Sequence, residues 1–312
     1  MKVLFFCPKY YGIHKIIENG IKENFDCELT TIIFEDYQYK NVFQKIENFI
    51  SKLVFNKNLK KIWASKYYIK DIKTTDYFDK VIMICPDFLQ NDELQFVKNL
   101  TNCSVVYYWD SFDNIPRYER TLPYFDHHYS FERKDCKQFG LQLLTNFFYK
   151  TSISTVHEFD VFFIGALDDR MATLIKISDK LADRNRKLIV QTKNKRKTEK
   201  YSNKGIEFIR NPITFSEAEI YFDKSKVVID IQKTIQNGLT FRVFEALGRR
   251  KKLITTNKDI INYDFYNPNN IFVWEENCDE IPDSFFESPY EDVDSAILNK
   301  YSLNSWIRTI LK

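Results

Sequence analysis

Short runs in which almost every residue is apolar alternate with segments of helical period along this chain. The first run covers residues 3–7, and the segment after it repeats isoleucine at helical spacing from Ile13 to Ile21. Strands that are apolar at successive positions are covered on both faces, and strands interleaved with helices pair in parallel. The pattern therefore predicts an α/β protein whose parallel sheets have helices on both sides.

The alternation occurs twice, on either side of a polar stretch at residues 149–155 that has neither helical nor strand period. Strands are expected at residues 3–7, 29–34, 81–85, 104–109, 129–131, 160–164, 188–191, 227–231, 253–255 and 271–274. Later helices are expected at residues 41–54, 59–72, 92–100, 133–139, 171–182, 240–247 and 292–311, with one more opened by a capping box at Thr214 and Glu217.

A length of 312 residues suits two domains of ordinary size. We expect two Rossmann-like, doubly wound domains, residues 1–152 and 153–312, facing an interdomain cleft, with the final helix packing back on the first domain. Ligands in such sheets bind at the carboxyl ends of the strands. Hydrophobic residues make up 44% and charged residues 29%, which excludes extensive disorder.

Targeting and redox signals favour the cytoplasm. Pro8 and Lys9 break the first apolar run before it reaches the ~7–15 residues of a signal peptide, and no run of about 18 apolar residues occurs. The missing signal also conflicts with a periplasmic-type binding protein. The six cysteines are scattered without a C-x-x-C pair, which favours reduced thiols, and the neighbouring His127 and His128 would point to opposite faces of a strand.

Residues 236–247 follow an apolar strand by a short loop and begin a helix near Thr240, a candidate N-cap. A helix N-terminus directs N–H groups and positive dipole character outward, which favours a phosphate. Arg242 in the first turn can bind a diphosphate, and Glu245 one turn later can accept hydrogen bonds from sugar hydroxyls. A capped surface helix with an Arg–Glu ion pair has the same spacing, so both interpretations stay open.

Several segments resemble, in order, the motifs of GT-B glycosyltransferases and are most similar to the CgeB-like, capsule and lipopolysaccharide sugar transferases of bacteria. These segments are residues 107–111, residues 125–131 followed by Asp135 and Gly140, residues 163–165 followed by Arg170, residues 238–247 and residues 252–256. They cover most of the chain beyond residue 100.

The resemblance implies a nucleotide-sugar donor bound mainly by the second domain and an acceptor bound mainly by the first. The donor-binding residues that it implies are Gly165, Arg170, Gly238, Leu239, Thr240, Arg242 and Glu245. Arg242 would bind the diphosphate and Glu245 the ribose hydroxyls, and the donor is a substrate, so no cofactor is expected. Many retaining members have a Glu-x₇-Glu pattern that ends at the position of Glu245. Asn237 replaces the first glutamate here, which leaves the stereochemical outcome open.

Sugar transfer needs a base for the acceptor hydroxyl and positive charge beside the leaving diphosphate. Asp110 ends an apolar strand and is one candidate base, although it also suits a turn or cap before Ser111. His14 follows the first strand-to-helix turn, where some inverting members of the family have a catalytic histidine. A solvent-facing histidine is the alternative there.

The expected function is sugar transfer to a hydroxyl of a glycan or lipid-linked acceptor in surface polysaccharide synthesis, at the inner face of the cell membrane. The alternative is a non-catalytic nucleotide-sugar-binding or assembly protein of the same fold, which needs Arg242 and Glu245 but no base. Asp110 and Asp113 are one residue too far apart for the D-x-D metal motif of the GT-A fold, so we expect activity without a divalent metal.

A basic stretch lies between residues 184 and 204, formed by Arg184, Arg186, Lys187, Lys193, Lys195, Arg196, Lys197, Lys200 and Lys204. It suits either peripheral contact with anionic lipid headgroups or a solvated loop and helix edge. No aromatic interleaving accompanies it, and the net charge is only +3, so no nucleic-acid partner is expected. The P-loop, G-x-G-x-x-G and G-x-S-x-G motifs are missing, which argues against P-loop kinases, dinucleotide oxidoreductases and common hydrolases.

Overall fold

The computed structural model describes residues 1–152, 156–193, 198–201, 204–211, 213–278 and 280–312. The chain divides into two compact units, Met1–Leu144 with Ile307–Lys312, and Thr145–Trp306. In the described part of the chain, each helix is too short or too polar to cross a membrane. All six cysteines lie within the described residues, and each is a free thiol.

The first unit is built on a parallel sheet with strand order β2-β1-β3-β4-β5-β6. Its strands are β1 (Lys2–Pro8), β2 (Glu28–Phe34), β3 (Lys80–Ile84), β4 (Ser104–Tyr108), β5 (His127–Ser130) and β6 (Gln142–Leu143). Its helices are α1 (Ile13–Asn24), α2 (Val42–Phe55), α3 (Leu59–Tyr68), α4 (Asn91–Lys98) and α5 (Arg133–Phe139), with 3-10 turns at Pro86–Phe88 and Tyr118–Tyr124.

The central strands of this sheet are buried at successive positions, because helices cover both faces. Every residue of β3 and β4 is buried, and β1 is buried from Val3 onward. Chain order reverses between β1 and β3, which pair in parallel with Val3 opposite Lys80. This reversal leaves a crevice beyond the carboxyl ends of the two strands, where ligands of doubly wound sheets bind.

The second unit is built on another parallel sheet, with order β12-β11-β10-β7-β8-β9. Its strands are β7 (Phe159–Ala166), β8 (Arg186–Gln191), β9 (Ile206–Ile209), β10 (Ser225–Asp230), β11 (Lys252–Thr255) and β12 (Ile271–Val273). Its helices are α6 (Met171–Lys180), α7 (Phe215–Asp223), α8 (Phe241–Gly248), α9 (Asp283–Glu287) and α10 (Ser295–Lys300). Helix α11 (Leu303–Leu311) begins in this unit, and its residues from Ile307 onward belong to the first unit. Read from β9, this is the 3-2-1-4-5-6 order of the Rossmann fold, with the reversal between β7 and β10.

The expected α/β architecture of two doubly wound sheets is confirmed, and most predicted elements form within one or two residues of their expected bounds. The capping box before α7 is present, because the Thr214 hydroxyl accepts from the Glu217 amide at 3.2 Å and the Glu217 carboxylate accepts from the Thr214 amide. The sequence analysis did not predict strands β6 and β9 or helix α9, which are two, four and five residues long.

The single helix predicted at residues 292–311 is wrong. Two helices, α10 and α11, form instead and are separated at Tyr301 and Ser302. Phe148 causes the break, because its amide donates to the Tyr301 carbonyl at 2.9 Å and its carbonyl accepts from the Leu303 amide at 2.8 Å. These bonds use backbone groups that a continuous helix would need, and helical period alone does not reveal such a distant partner.

Candidate functional site

A cavity of about 560 Å³ lies at the carboxyl edge of the second sheet. Its walls come from the segments that follow β7, β10, β11 and β12. Three cationic side chains, Arg170, Lys233 and Lys258, line it together with Trp274 and Asn237. The lining also includes three carboxylates, Asp169, Glu275 and Glu276, and Lys258 pairs with Glu275 at 2.8 Å, so the wall carries charges of both signs. The volume is that of a small-molecule site.

Arg170 is the implied donor-binding residue that lines this cavity. Its guanidinium forms an ion pair with Asp168 at 2.7 Å and donates to the Ile231 carbonyl at 3.3 Å. Burial lowers the pKa of Arg170, but the bond to Asp168 outweighs burial and raises it. The side chain is therefore fixed between the ends of β7 and β10 and keeps its charge.

Trp274 follows β12 and also lines the cavity. The side chain is 4% exposed, and its Nε1 has no hydrogen-bond partner among the described residues. A buried indole N–H without an acceptor is uncommon in folded proteins, because its desolvation is not compensated. Trp274 therefore provides an unused donor and an aromatic surface beside the cavity. The sequence analysis did not identify it as a site residue.

Asp230 ends β10 and is a second residue that the sequence analysis missed. Its buried carboxylate accepts from the Thr240 hydroxyl at 2.7 Å and from the Thr255 hydroxyl at 3.1 Å. Thr240 does occupy the N-cap position of α8, but its side chain forms no capping bond with that helix. The predicted N-cap position of Thr240 is confirmed, but its hydroxyl donates to Asp230 and accepts no bond from the amides of α8.

Arg242 and Gly165 lie together at the end of β7. The Arg242 guanidinium donates to the Ile164 carbonyl and lies over the Phe163 ring, 5.4 Å from its centre. Its Nε has no partner among the described residues, and burial lowers its pKa while Asp230 opposes that shift. A Cβ on Gly165 would lie 2.7 Å from the Phe163 ring, so the packing of this ring by itself explains the glycine.

Glu245 is buried one turn further along α8 and is not among the residues that line the cavity. Burial raises its pKa to about 7, while the charges of Arg242 and Arg249 oppose the shift. Its Oε1 has no hydrogen-bond partner among the described residues. Since α8 is buried from Val243 to Gly248, the alternative of a surface helix with an exposed Arg–Glu pair is wrong.

The loop before α8 is held in place by side-chain amides, and Asn237 is the residue among 237–239 that lines the cavity. Gly238 and Leu239 are buried, and Leu239 belongs to the core of the second unit. The Asn257 amide donates to the Asn237 carbonyl at 2.9 Å, and the Asn146 amide donates to the Leu239 carbonyl at 3.0 Å. The structure thus gathers the implied donor-binding residues near one sheet edge, but only Arg170 reaches the cavity wall.

The carboxyl edge of the first sheet carries two carboxylates. Asp110 follows β4 and accepts from the Asn114 amide at 3.0 Å, a bond typical of a turn. Asp87 lies in the 3-10 turn after β3, and burial raises its pKa to about 6, with a smaller contribution in the same direction from Asp110. Lys61 and Arg120 oppose this shift. Asp87 was not identified from the sequence.

Phenol and thiol groups surround this carboxylate pair. Burial raises the pKa of Tyr10, Cys85 and Tyr118, and the charges of Asp87 and Asp110 raise each of them further. Cys85 has a φ of 57°, in the left-handed region that residues with a Cβ rarely adopt. This turn places Asp87 just after the strand, and strained backbone of this kind is common at functional sites.

His14 lies in the first turn of α1 and is 3% exposed. The expected alternative of a solvent-facing histidine is therefore wrong. Burial lowers the pKa of His14, and its Nδ1 has no partner among the described residues. A buried neutral imidazole with an unused nitrogen at the end of β1 keeps the capacity to bind or accept a proton.

Asp113, the second acid of the rejected metal motif, pairs with Lys134 at 2.5 Å. Across the described residues, no three His, Cys, Asp or Glu side chains form a group that could hold a metal ion. In the basic stretch, Arg184 pairs with Asp283, Lys187 with Glu207 and Lys204 with Asp179. Lys195, Arg196 and Lys197 lie outside the described residues, as does the side chain of Lys200.

No protein-family model and no curated protein sequence matches the chain. Among solved structures, it is similar to a UDP-forming trehalose-phosphate synthase from Burkholderia xenovorans, with TM-score 0.57 and 10% identity over 100% of this chain and 98% of that one. It is also similar to the lipopolysaccharide outer core galactosyltransferase WaaB, with TM-score 0.50 and 17% identity over 100% and 95%. A third is the UDP-GlcNAc 2-epimerase of Methanocaldococcus jannaschii, with TM-score 0.54 and 10% identity over 100% and 98%.

These similarities concern the fold. The chain has the two-domain α/β fold of GT-B glycosyltransferases, with one six-stranded parallel sheet in each unit. Because a UDP-GlcNAc 2-epimerase is also similar, the fold alone leaves the reaction undecided.

Proposed function

We propose that this chain is a glycosyltransferase that moves a sugar from a nucleotide-sugar donor to a hydroxyl of a glycan or lipid-linked acceptor in surface polysaccharide synthesis. The observation that carries the proposal is the cavity of about 560 Å³ at the carboxyl edge of the second sheet, with Arg170, Lys233 and Lys258 in its wall. Its place at the end of strands in a Rossmann-ordered sheet is where such sheets bind nucleotides.

The donor's diphosphate suits the cationic side chains of this cavity. Arg170 is already oriented by Asp168, so little side-chain entropy is lost when it binds an oxyanion. Lys233, which follows β10, and Lys258, which follows β11, add positive charge to the cavity wall. Trp274 offers an indole N–H and an aromatic face, which suits a nucleobase or sugar ring. In this proposal, the neighbouring strand ends and the start of α8 are held in place by Asp230, Thr240 and Arg242.

The acceptor's proton is taken in the first unit. We assign Asp110 as the base and Asp87 as its neighbour, since the charge of Asp110 contributes to the raised pKa of Asp87. Two carboxylates with different surroundings are a common arrangement for proton transfer near neutral pH. His14 is the second candidate base. The reaction as proposed uses no metal ion, since the cationic side chains stabilise the leaving diphosphate.

Thermal-shift measurements with UDP-, GDP-, dTDP- and CMP-linked sugars test donor binding, because a ligand of the folded state raises the Tm. One class of donor should raise the Tm of the wild type, and Arg170→Gln should weaken its binding by about tenfold or more. Lys180→Gln, an exposed change on α6, is the matched control and should bind normally. Binding that is unaffected by Arg170→Gln would place the donor elsewhere.

Product analysis then separates the candidate reactions. Incubation with the selected donor and a panel of glycan and lipid-linked acceptors should release the nucleoside diphosphate and extend the acceptor. The conversion of a UDP-sugar to its epimer without an acceptor would identify an epimerase instead. Donor binding with neither product would support the non-catalytic nucleotide-sugar-binding protein.

A further inference from the structure

Helix α2 has the reverse of the usual orientation of an amphipathic helix. Ile46, Phe49, Ile50 and Leu53 follow the i, i+3, i+4, i+7 spacing of an apolar helical face. In a helix that packs on a core this face is buried, yet all four side chains are exposed, Leu53 at 77%. The apolar surface is extended by four more exposed side chains, which are Val42, Phe43, Val54 and Phe55.

The polar face of α2 is the one that contacts the first unit. Asn48 is 3% exposed, its amide donates to the Tyr39 hydroxyl at 2.9 Å, and its carbonyl oxygen accepts from the Lys60 amide at 3.0 Å. Ser51 is also buried, and Gln44 accepts from the Lys40 amide at 2.8 Å. These bonds use buried polar side chains, so turning the helix over would leave them unsatisfied.

The segment around α2 is strongly basic. Residues 40–73 contain nine lysines and only two acidic residues, Glu47 and Asp71, which gives this segment a net charge of +7. The whole chain has a net charge of +3, so the remaining residues together carry −4. Lys45 and Lys52, both exposed, lie on α2 itself beside the apolar face.

We propose that the apolar face of α2 docks this protein on a lipid bilayer that contains anionic lipids. A helix with one apolar and one polar face lies in the interface with its apolar side in the acyl-chain boundary, and neighbouring lysines bind anionic headgroups. A second copy of the chain fits this surface less well, because a symmetric dimer through α2 would bring two segments of +7 together.

Flotation of the whole chain with vesicles tests this docking. The protein should float with vesicles of phosphatidylcholine and phosphatidylglycerol in equal parts, float much less with phosphatidylcholine alone, and dissociate as salt is raised. In the double variant Phe49→Asp, Leu53→Asp, the partition coefficient should fall by more than about tenfold. Burial of either apolar side chain in the bilayer contributes about that factor or more. Phe49→Ser with Leu53→Ser is a milder second pair.

Matched controls exist in the second unit. The double variant Val156→Asp, Ile261→Asp also replaces two exposed apolar side chains and should float like the wild type. Lys45→Gln with Lys52→Gln should reduce binding to anionic vesicles by about twentyfold, taking about fivefold for each lysine. Lys180→Gln with Lys193→Gln removes the same charge elsewhere and should have little effect.

Any of three results would overturn the proposal. The first is no flotation with anionic vesicles, and the second is flotation that the α2 variants leave unchanged. The third is a dimer in lipid-free solution that Phe49→Asp dissociates, as measured by analytical ultracentrifugation. Flotation needs no nucleotide sugar, and the Tm shift caused by the donor should be the same in the α2 variants and the wild type. The docking surface and the proposed transfer activity can therefore fail independently.

Discussion

The carboxyl edges of the two sheets differ in strand order and in the side chains that they carry. In the first unit, Asp87 follows β3 and Asp110 follows β4, with phenols and a buried thiol around them. In the second unit, the cavity at the strand ends is lined by three cations, Arg170, Lys233 and Lys258, and by three carboxylates. Both sets lie close to the place where chain order reverses in their sheet.

The difference shows how one architecture can supply two parts of a reaction. In the proposed reaction, a carboxylate of the first unit removes a proton and the cations of the second unit bind a diphosphate. The predictions below change residues of one unit at a time.

The largest effect is expected for Asp110→Asn. The amide cannot accept a proton, so turnover should fall by about 10²–10⁴-fold, while the Tm shift caused by the donor persists because the second edge is untouched. Asp113→Asn, which alters an exposed ion pair with Lys134, is the control and should retain activity. Full turnover in Asp110→Asn would remove Asp110 as the base and direct attention to Asp87 and His14.

Glu245→Gln should change the pH dependence of stability. The pKa of Glu245 is about 7 in the folded protein and 4.5 in the unfolded chain, so its contribution is fully present below about pH 4.5 and is lost as pH rises to 7. The variant should match the wild type at pH 4 and exceed its free energy of unfolding at pH 8, by no more than about 3 kcal/mol. Denaturant titrations at both values measure this.

Glu219→Gln should change the pH dependence of stability in the opposite direction to Glu245→Gln. The bond from Tyr149 and the charges of Lys150 and Arg249 lower the pKa of Glu219, although burial opposes them. Its ionised form therefore stabilises the fold above its unfolded pKa, and the variant should be less stable than the wild type at pH 8. Equal pH dependence of the two variants would contradict the opposite pKa shifts of Glu245 and Glu219.

The third effect concerns the pH profile of turnover. Protonation of Asp87, whose pKa is raised to about 6, removes one of the two negative charges of the proposed acceptor site, so kcat should fall as pH drops through 6. At pH 5 the loss should be about tenfold. In Asp87→Asn this acid limb should move to lower pH, while donor binding stays the same. A limb at pH 6 that persists in Asp87→Asn would assign it to another group.

The smallest effect is expected for Thr240→Val, which removes one hydrogen bond from the buried Asp230 carboxylate. The cost should be about 1 kcal/mol of unfolding free energy, together with weaker donor binding, because Asp230 also faces Arg170 and Arg242. Thr214→Val breaks the capping box of α7 and should cost about the same stability without weakening donor binding. Identical donor binding in both variants would remove Thr240 from the site.

The sequence by itself determined the architecture and the placement of several groups. Apolar runs such as β3, apolar at almost every position, predict buried parallel strands, and Thr214 with Glu217 predicts the start of α7, because both signals depend on residues close together in the chain. The same reasoning placed Asp110 after β4 and Arg170 after β7, since strand ends follow from strand positions.

Only the tertiary structure decided which of these groups meet and which way they face. Asp87 approaches Asp110 because β3 and β4 are neighbours, and Thr240 bonds to Asp230 ten residues away instead of capping its own helix. Glu245 and His14 are buried although their local sequences suit exposed positions. The period of α2 marks an apolar face but not its direction, which depends on the buried bonds of Asn48 to Tyr39 and Lys60. Periodicity is a local property of the chain, whereas burial and charge proximity depend on contacts between distant segments.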